Sequence, residues 1–296
     1  MPEYPDITVY IESLRERIAG RWLDRIRLRS PFLVRTVDPP FETAEGRTVA
    51  DITRIGKRIV MHLDGSLALV LHLMIAGRLL WKESGASARG RNDLAAFDFN
   101  SGTLILTEAG TKRRASLHVV AGQAALRALD PGGVDVFETT PSEFAAAIQR
   151  ENRTLKRALT DPRIVSGIGN AYSDEILHAA RLSPFVRTHA LTPAQCAALH
   201  HAARDTLTQW TDALRAQFNG RFPGVGDITA FRPDFAVHGR FSRPCPTCGT
   251  PVQRVVYAEN EMNYCPTCQT DGRILADRSL SRLLRDDWPK TVEELD

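Results

Sequence analysis

Residues 245–268 have the sequence CPTCGTPVQRVVYAENEMNYCPTC, and no other stretch of the chain constrains the fold as tightly. It contains two CxxC pairs separated by 16 residues, formed by Cys245, Cys248, Cys265 and Cys268. A tight turn aims both sulfurs of a pair at one ion, and a β-hairpin between the pairs would bring the second turn beside the first. Because four thiolates complete a tetrahedron, we expect one structural zinc ion with no open position for catalysis.

Two disulfides or a redox pair are the alternative use of these cysteines. The N-terminus has neither a basic segment nor an apolar segment of the kind found in secretory signals, so we expect a cytoplasmic protein, in which thiols stay reduced. The fifth cysteine, Cys196, lies in an apolar helical pattern, which predicts a buried, inert thiol.

The composition is that of a globular protein without a membrane span. The apolar runs, such as LALVLHLMIAG, are too short to cross a bilayer. The net charge of +3 permits a polyanionic partner but does not require one.

The periodicity of the chain changes along its length, which predicts an α+β multidomain protein. Residues 1–128 combine one amphipathic helix with short β-like runs, and we expect them to form the first domain. The apolar stripe of this helix is Ile7, Tyr10, Ile11, Leu14 and Ile18. Residues 129–141, rich in proline and glycine, are the predicted linker. A helical domain over 142–232 follows, with Ser142 and Thr192 as expected N-caps and PSEFAAAIQRENRTLKRALTD as its first helical stretch. The zinc finger is placed at 233–270 and a charged tail, with an amphipathic helix in ADRSLSRLLRDDW, at 271–296.

The sequence VSGIGNAYSDEILHAA at residues 165–180 indicates a tight turn between two helices. Asn170 is placed either to cap the second helix or to contact a phosphate. Lys156, Arg157 and Arg163 make this region more basic than the chain as a whole. DNA binding is one interpretation and a plain helical hairpin is the other.

Four features occur in an order that resembles one protein family. They are Pro2-Glu3 at the start, the lysine of RIGKRIVMHL, GIGNAYSDE in the middle and the four-cysteine finger. This set resembles the Fpg/Nei family (formamidopyrimidine-DNA glycosylase and endonuclease VIII) over residues 1–270. The resemblance implies an N-terminal β-sandwich with a leading helix, a helix–two-turn–helix domain and a C-terminal zinc finger.

The same resemblance implies a function in base excision repair. We expect a bifunctional DNA glycosylase/AP lyase that flips an oxidised base out of double-stranded damaged DNA and excises it. A Schiff base on the N-terminal proline would then lead to β- and δ-elimination. We also expect a monomer, associated with the bacterial nucleoid in the cytoplasm.

An amine nucleophile is needed to attack the sugar C1′ and form a Schiff base. About a tenth of α-amino groups are neutral at pH 7, against less than about 0.1% of lysine side chains. By similarity, Pro2 is the predicted nucleophile and Glu3 the general acid/base, with Lys57 assisting catalysis at a phosphate. Pro2 can act only after Met1 is removed, because an amide nitrogen has no usable lone pair.

The resemblance also predicts DNA contacts, and this sequence differs from the family pattern at some of the positions involved. The predicted DNA-binding residues are His72, Ile75, Arg113, Lys156 and Asn170. Members of the family fill the space left by the flipped base with a methionine, an arginine and a phenylalanine. Here these positions hold Ile75, Arg113 and Ala115, and an alanine cannot enter a base stack.

Two further positions depart from the family. Asn260 stands where the zinc hairpin usually has an arginine, so a charge-assisted phosphate bond is lost. Arg254 or Arg273 is the expected substitute. Asp6 replaces a glutamate, with no predicted effect.

Two other functions stay open from the sequence. The scaffold could serve a non-catalytic protein that binds damaged or abasic DNA. A zinc-ribbon RNA-binding or interaction module with an unrelated N-terminal domain is the third hypothesis, and it predicts no role for Pro2.

Overall fold

The computed structural model describes residues 1–257, 260–277, 281–283 and 288–294. The helices are α1 (Tyr4–Ile18), α2 (Gly122–Arg127), α3 (Pro141–Gln149), α4 (Leu155–Thr160), α5 (Asn170–Ala179), α6 (Pro193–Phe218) and α7 (Pro266–Thr270). The strands are β1 (Trp22–Leu28), β2 (Arg47–Ile55), β3 (Arg58–Leu63), β4 (Leu67–His72), β5 (Gly77–Lys82), β6 (Asp93–Phe99), β7 (Gly102–Glu108), β8 (Ser116–Ala121), β9 (Gln253–Tyr257) and β10 (Asn260–Tyr264). They belong to two compact units, Met1–Pro131 with Gln209–Ala230, and Gly132–Thr208 with Phe231–Asp296.

The first unit is an antiparallel β-sandwich. Its strand order is β5-β7-β6-β1-β2-β3-β4-β8, and β1 pairs with β2 over only two residues. This short pairing is the corner at which one group of four strands turns into the other. Side chains from both groups form one core, including Met61, Leu69, Phe97 and Leu106, which are all fully buried. The predicted sandwich is confirmed.

Helix α1 packs on β2 and β3 of this sandwich. Ile7, Leu14 and Ile18 recur at helical spacing and have no exposed surface. The helix begins at Tyr4, three residues before the predicted apolar pattern, because Pro5 is compatible with a first turn and Glu3 is the N-cap. The burial of this stripe fixes the position of residues 1–3, which directly precede the helix.

The second unit contains helices α3–α5, the N-terminal part of α6, the β9–β10 hairpin and α7. Helix α5 packs against α4, α7 and β10. The predicted hairpin between the cysteine pairs is confirmed, with Asn263 paired to Arg254 and Tyr264 to Gln253. Cys196 is 2% exposed on α6, as predicted.

Two predictions about helix ends have different outcomes. Thr192 caps α6, since its hydroxyl accepts a hydrogen bond from the Gln195 N–H at 3.2 Å. Ser142 is not the N-cap of α3. That position belongs to Thr140, whose hydroxyl accepts from the Glu143 N–H while the Glu143 carboxylate accepts from the Thr140 N–H.

The C-terminal tail packs on the zinc hairpin in its described part. Leu275 lies against Val255, Met262 and Tyr264, and its N–H donates to the Tyr264 hydroxyl at 2.7 Å. Most of the predicted tail helix falls outside the described residues. Within its described part, Ser281–Leu283 are helical. Across the described ranges, the structure contains no helix with the length and apolar character needed to cross a membrane.

Candidate functional site

The N-terminus of the first unit holds the predicted nucleophile and acid/base in a fixed position. Pro2 is buried, and Glu3 is 3% exposed. The Glu3 N–H donates to the Asp6 carboxylate at 2.9 Å. Asp6 therefore has a role that the sequence did not reveal, because it fixes the backbone beside Pro2 from within the first turn of α1.

Burial favours a neutral amine at this point, and the neighbouring charges act in both directions. The N-terminal amine in this structure is that of Met1, and burial lowers its pKa. The charges of Arg78 and Lys57 lower this pKa further, whereas those of Glu3 and Asp6 raise it. The partial positive charge at the start of α1 acts in the same direction as the two cations. The site thus combines a buried chain terminus with a nearby carboxylate.

Lys57 lies in the two-residue turn between β2 and β3. Gly56 has a φ of 59°, as expected for the first central residue of a type II′ turn, and Ile55 pairs with Arg58. Burial lowers the pKa of Lys57, and the charge of Glu3 partly opposes this effect. The hairpin therefore brings Lys57 into electrostatic reach of Glu3, and its predicted role at a phosphate stays a prediction.

His72 ends β4 and pairs across the sheet with Arg58 and Ser116. Burial lowers its pKa to about 4, and the charges of Arg58 and Lys57 add to this effect. The imidazole is consequently neutral at pH 7. In this state it offers a phosphate one N–H donor rather than a full positive charge.

Ile75 and Arg113 lie on two neighbouring connections. The turn carrying Ile75 joins β4 to β5, and the loop carrying Arg113 joins β7 to β8. The two connections run side by side because Gly77 pairs with Glu108 at one end and His72 with Ser116 at the other. Ile75 is 55% exposed, and Arg113 is exposed with one bond to the Arg91 carbonyl at 2.8 Å.

Ala115 is in the core rather than on this surface. It is 3% exposed, and its N–H donates to Glu108 at 3.0 Å. Glu108 also accepts from the Arg114 N–H, which pins the end of the loop. The position that holds a phenylalanine in the family therefore holds a buried alanine here, which cannot enter a base stack.

Asn170 begins α5 in the second unit. Its Nδ2 donates to the Glu261 carbonyl of β10 at 2.8 Å. This bond ties the glycine turn of GIGN directly to the zinc hairpin, so the two predicted DNA-binding elements are held together. A second amide hydrogen of Asn170 Nδ2 is available for a further acceptor.

Lys156 has internal contacts. Its ammonium group donates to the Asp174 carboxylate at 2.6 Å, to the Asn170 carbonyl at 2.6 Å and to the Ser173 hydroxyl at 2.8 Å. An ammonium group has three hydrogens, and these three acceptors match them. The Lys156 side chain is 11% exposed. These contacts do not favour the predicted direct DNA contact, which stays a prediction.

Asp174 and Glu175 organise the second unit, and the sequence analysis gave no role to Asp174. Asp174 also accepts from His238 Nδ1 at 2.7 Å and from the Asn263 N–H at 3.1 Å. Glu175 accepts from three consecutive backbone N–H groups, those of residues 236–238, at 2.7–2.9 Å. Burial raises the pKa of Glu175, which these hydrogen bonds partly oppose. The adjacent DE pair after GIGN was the only available signal.

The four predicted metal ligands converge. The sulfur atoms of Cys245, Cys248, Cys265 and Cys268 all lie within 4.8 Å of one another. The Cys248–Cys265 and Cys245–Cys268 sulfur distances are 3.4 and 4.0 Å. A tetrahedron with Zn–S bonds of about 2.3 Å requires sulfur separations of roughly 3.8 Å, so the cluster fits one zinc ion.

The zinc hairpin also carries the predicted substitutes for the missing arginine. The side chain of Asn260 lies outside the described residues. Arg254 bonds Glu261 at 3.2 Å and stacks on Phe241 at 4.3 Å. Arg273 is exposed at the start of the tail. The predicted phosphate contacts by Arg254 and Arg273 stay predictions.

Three family models match the chain. The formamidopyrimidine-DNA glycosylase N-terminal domain matches residues 1–115 and the formamidopyrimidine-DNA glycosylase H2TH domain matches residues 132–217. The zinc finger found in FPG and IleRS matches residues 242–270. The last match agrees with the geometry of the four cysteines.

Similar proteins cover most of the chain. Formamidopyrimidine-DNA glycosylase from Chloroflexus aurantiacus is 31% identical over 91% of this chain and 98% of its own length. The enzyme of that name from Thermus thermophilus is also 31% identical, over 92% of this chain and all of its own length. The crystal structure of the T. thermophilus MutM (FPG) protein covers 90% of this chain and 98% of its own, with a TM-score of 0.75 and 28% identity. A Lactococcus lactis FPG mutant, solved with Fapy-dG-containing DNA, has a TM-score of 0.79 at 22% identity, over 91% of this chain and all of its own. The chain therefore belongs to the formamidopyrimidine-DNA glycosylase family.

Proposed function

We propose that this protein is a bifunctional DNA glycosylase/AP lyase that excises oxidised bases from duplex DNA. One geometric observation carries the proposal: Pro2 and Glu3 are buried directly before α1, where the Glu3 N–H donates to the Asp6 carboxylate at 2.9 Å. Membership of the glycosylase family supplies the substrate class.

The first half of the reaction needs the Pro2 amine, which is available once Met1 is removed. The neutral nitrogen attacks the sugar C1′, the bond from C1′ to the base breaks, and the base leaves with a proton. Glu3 protonates the ring oxygen as the sugar opens, and the nitrogen and C1′ become an iminium ion. A secondary amine gives a permanently charged iminium, which withdraws electrons from C2′.

The second half is elimination. The iminium acidifies the C2′ proton, a base removes it, and the C3′–O bond breaks to release the 3′ phosphate. A second elimination breaks the C5′–O bond, and water then releases Pro2 from the sugar fragment. In this proposal Lys57 holds a phosphate during these steps, and its electrostatic contact with Glu3 supports that role.

The remaining predicted residues divide into two groups in this proposal. His72, Arg113 and Asn170 bind phosphates or the strand, and Ile75 supplies the apolar side chain that enters the base stack. Lys156 is a positioning residue that holds the carbonyl of Asn170 and the carboxylate of Asp174. The domain limits at residues 128, 141, 232 and 270 remain part of the proposal.

Borohydride trapping tests the chemistry. Full-length protein, shown by intact mass to lack Met1, is incubated with abasic or oxidised-base duplex and reductant, and the adduct is mapped by peptide mass spectrometry. We expect the sugar on the Pro2 nitrogen, and an unchanged adduct in the Pro5→Ala control. Adduct on Lys57, or tight binding to abasic DNA with neither adduct nor nicking, would refute the mechanism. The latter result would favour the non-catalytic binding protein, an alternative motivated by the burial of Ala115.

We infer further that the protein acts as a monomer on the nucleoid in the cytoplasm. The four-thiolate cluster supports a reducing compartment, because thiolates bind zinc only when they are not oxidised. Size-exclusion chromatography with light scattering tests the oligomeric state. A mass near 32.8 kDa is expected, and a concentration-independent doubled mass would exclude a monomer.

A further inference from the structure

Arg78 joins two segments that are far apart in the sequence. It follows Gly77 in β5, and its Nε donates to the Ile228 carbonyl at 2.7 Å. Its Nη1 donates to the Gly77 carbonyl at 2.7 Å and to the Ile75 carbonyl at 3.2 Å. One guanidinium group thus connects the turn that presents Ile75 to a segment 150 residues later.

The segment that ends at Ile228 is a closed loop. Arg221 forms an ion pair with Asp227 at 2.6 Å, and the Gly224 N–H donates to the same carboxylate at 2.6 Å. Ile228 is 2% exposed in the core of the first unit, whereas Val225 is 49% exposed. Residues 221–228, which we call the Arg221 loop, therefore present an aliphatic tip from a fixed base.

Aromatic packing holds the other end of the Arg221 loop. The Phe222 ring lies 5.7 Å from that of Tyr10 and 6.3 Å from that of Trp81. Arg17 also lies over the Phe222 ring, with its guanidinium 5.5 Å from the ring centroid. The loop is thus attached by apolar contacts at Phe222 and by the Arg78 bond at Ile228.

We propose that Arg78 is a positioning residue that clamps the Arg221 loop to the Ile75 turn. The loop and the turn then present Val225 and Ile75, whose side chains are exposed, as one rigid surface to the flipped nucleotide and the vacated base stack. This inference rests on the proposed function. Recognition of a base needs the Arg221 loop and the Ile75 turn in a fixed relative position, whereas an abasic site that is already formed has no base to recognise. Arg78 should accordingly matter for base excision more than for strand cleavage at an abasic site.

Arg78 has a second, electrostatic effect that can be separated from the clamp. Four charges act on the N-terminal amine, those of Glu3, Asp6, Lys57 and Arg78, and Arg78 is one of the two that lower its pKa. Arg78→Lys keeps the charge but loses the planar fork that reaches several carbonyls. Arg78→Gln loses both. The pair of variants therefore distinguishes clamping from charge.

The first measurement does not depend on activity. Full-length, zinc-loaded protein is digested with a low level of trypsin, and cleavage after Arg221 is followed by mass spectrometry. The Arg221 side chain is 54% exposed, so its protection depends on loop closure. We expect cleavage to be faster by about threefold or more in Arg78→Gln and Arg78→Lys, since a local contact that closes the loop has been removed.

Two further variants serve as the negative and the positive control for that measurement. Arg29→Gln is the matched control, because Arg29 also donates to two carbonyls, those of Ala88 and Gly90, in another loop of the same unit. Its cleavage after Arg221 should equal that of the unaltered protein. Asp227→Asn, which breaks the ion pair inside the loop, should reproduce the fast cleavage.

The second measurement compares single-turnover rates on an oxidised-base duplex and on an abasic duplex. We expect both Arg78 variants to lose about tenfold in base excision, the scale of a misplaced recognition surface, with abasic cleavage nearly unchanged. The pH midpoint of trapping should move upward in Arg78→Gln only. Unchanged trypsin cleavage, or equal losses on both substrates, would overturn the clamp. If the unaltered protein formed no adduct while the trypsin result held, the proposed function would fail and the clamp would stand.

Discussion

Asp174 Oδ1 lies 2.6 Å from Lys156 Nζ, and the Asp174 side chain has no exposed surface. The second oxygen of the same carboxylate meets His238 and the Asn263 N–H. One buried anion therefore connects α4, the loop before the zinc finger and the zinc hairpin. A buried ion pair contributes little relative to well-packed apolar groups, but removal of one partner leaves the other charge buried and unpaired. The function of this carboxylate is to position Asn170 and the hairpin together.

Asp174→Asn should therefore be strongly destabilising. The substitution keeps the size of the side chain but leaves the Lys156 ammonium without its counter-ion, and we expect a loss of about 3–5 kcal/mol in the free energy of unfolding. Urea unfolding followed by circular dichroism measures it. Asp212→Asn is the control, because its ion pair with Arg215 is exposed and should contribute less than about 1 kcal/mol. Similar losses in both variants would contradict the role given to Asp174.

Ala115→Phe tests whether the lost wedge can be restored. Because Ala115 is 3% exposed, an aromatic ring there must displace core side chains, and we expect destabilisation by about 1–3 kcal/mol. Ile75→Phe, at the exposed turn, should change stability by less than about 0.5 kcal/mol. Thermal unfolding and single-turnover excision are measured for both. Faster excision by Ala115→Phe at unchanged stability would show that position 115 can reach the DNA.

The sequence was sufficient for those parts of the fold that depend on local pattern. The spacing of the cysteines predicted both the sulfur cluster and the hairpin between the pairs, because short turns fix this geometry. The periodicity of Ile7, Leu14 and Ile18 predicted α1. The helix from residue 141 was predicted as one long element but is split into α3 and α4, because Glu151–Arg153 leave the helical conformation and the Arg153 N–H bonds the Thr188 hydroxyl.

The candidate site was predicted only in part from the sequence. Glu3 and Lys57 share one electrostatic environment with the N-terminus, and the catalytic roles of Pro2, Glu3 and Lys57 stay predictions. Arg78 and Asp174 were missed, since their partners are 150 and 64–89 residues away. Lys156 was identified as basic, but its role depends on an acid 18 residues later. No local pattern encodes such pairings.

Cys265→Ser should abolish stable zinc binding. Cys265 has no exposed surface, and its sulfur lies 3.4 Å from that of Cys248. The loss of one thiolate should weaken zinc binding by more than the roughly 10–100-fold typical of changes next to a metal ligand. Zinc content by atomic emission, after dialysis against a weak chelator, measures it. DNA affinity should fall as well, because the hairpin holds Asn170 through the Glu261 carbonyl. Cys196→Ala, a buried cysteine outside the cluster, should keep one equivalent of zinc, and equal loss from both would contradict the assignment.

The neutral state of His72 should make the first unit sensitive to acid. Its pKa is 6.5 in the unfolded chain and about 4 in the folded protein, because burial disfavours the imidazolium ion. Above pH 6.5 both states hold the ring neutral, and its contribution to stability is fully present. As the pH falls from 6.5 towards 4, the unfolded state takes up the proton first, so that contribution is lost.

The shift in the pKa of His72 corresponds to about 3 kcal/mol, which partial exposure reduces to roughly 2 kcal/mol. Between pH 7 and pH 4, the unaltered protein should thus lose about 2 kcal/mol more unfolding free energy than His72→Gln. The exposed His201→Gln control should follow the unaltered protein, and parallel pH profiles for all three would rule out a buried neutral His72.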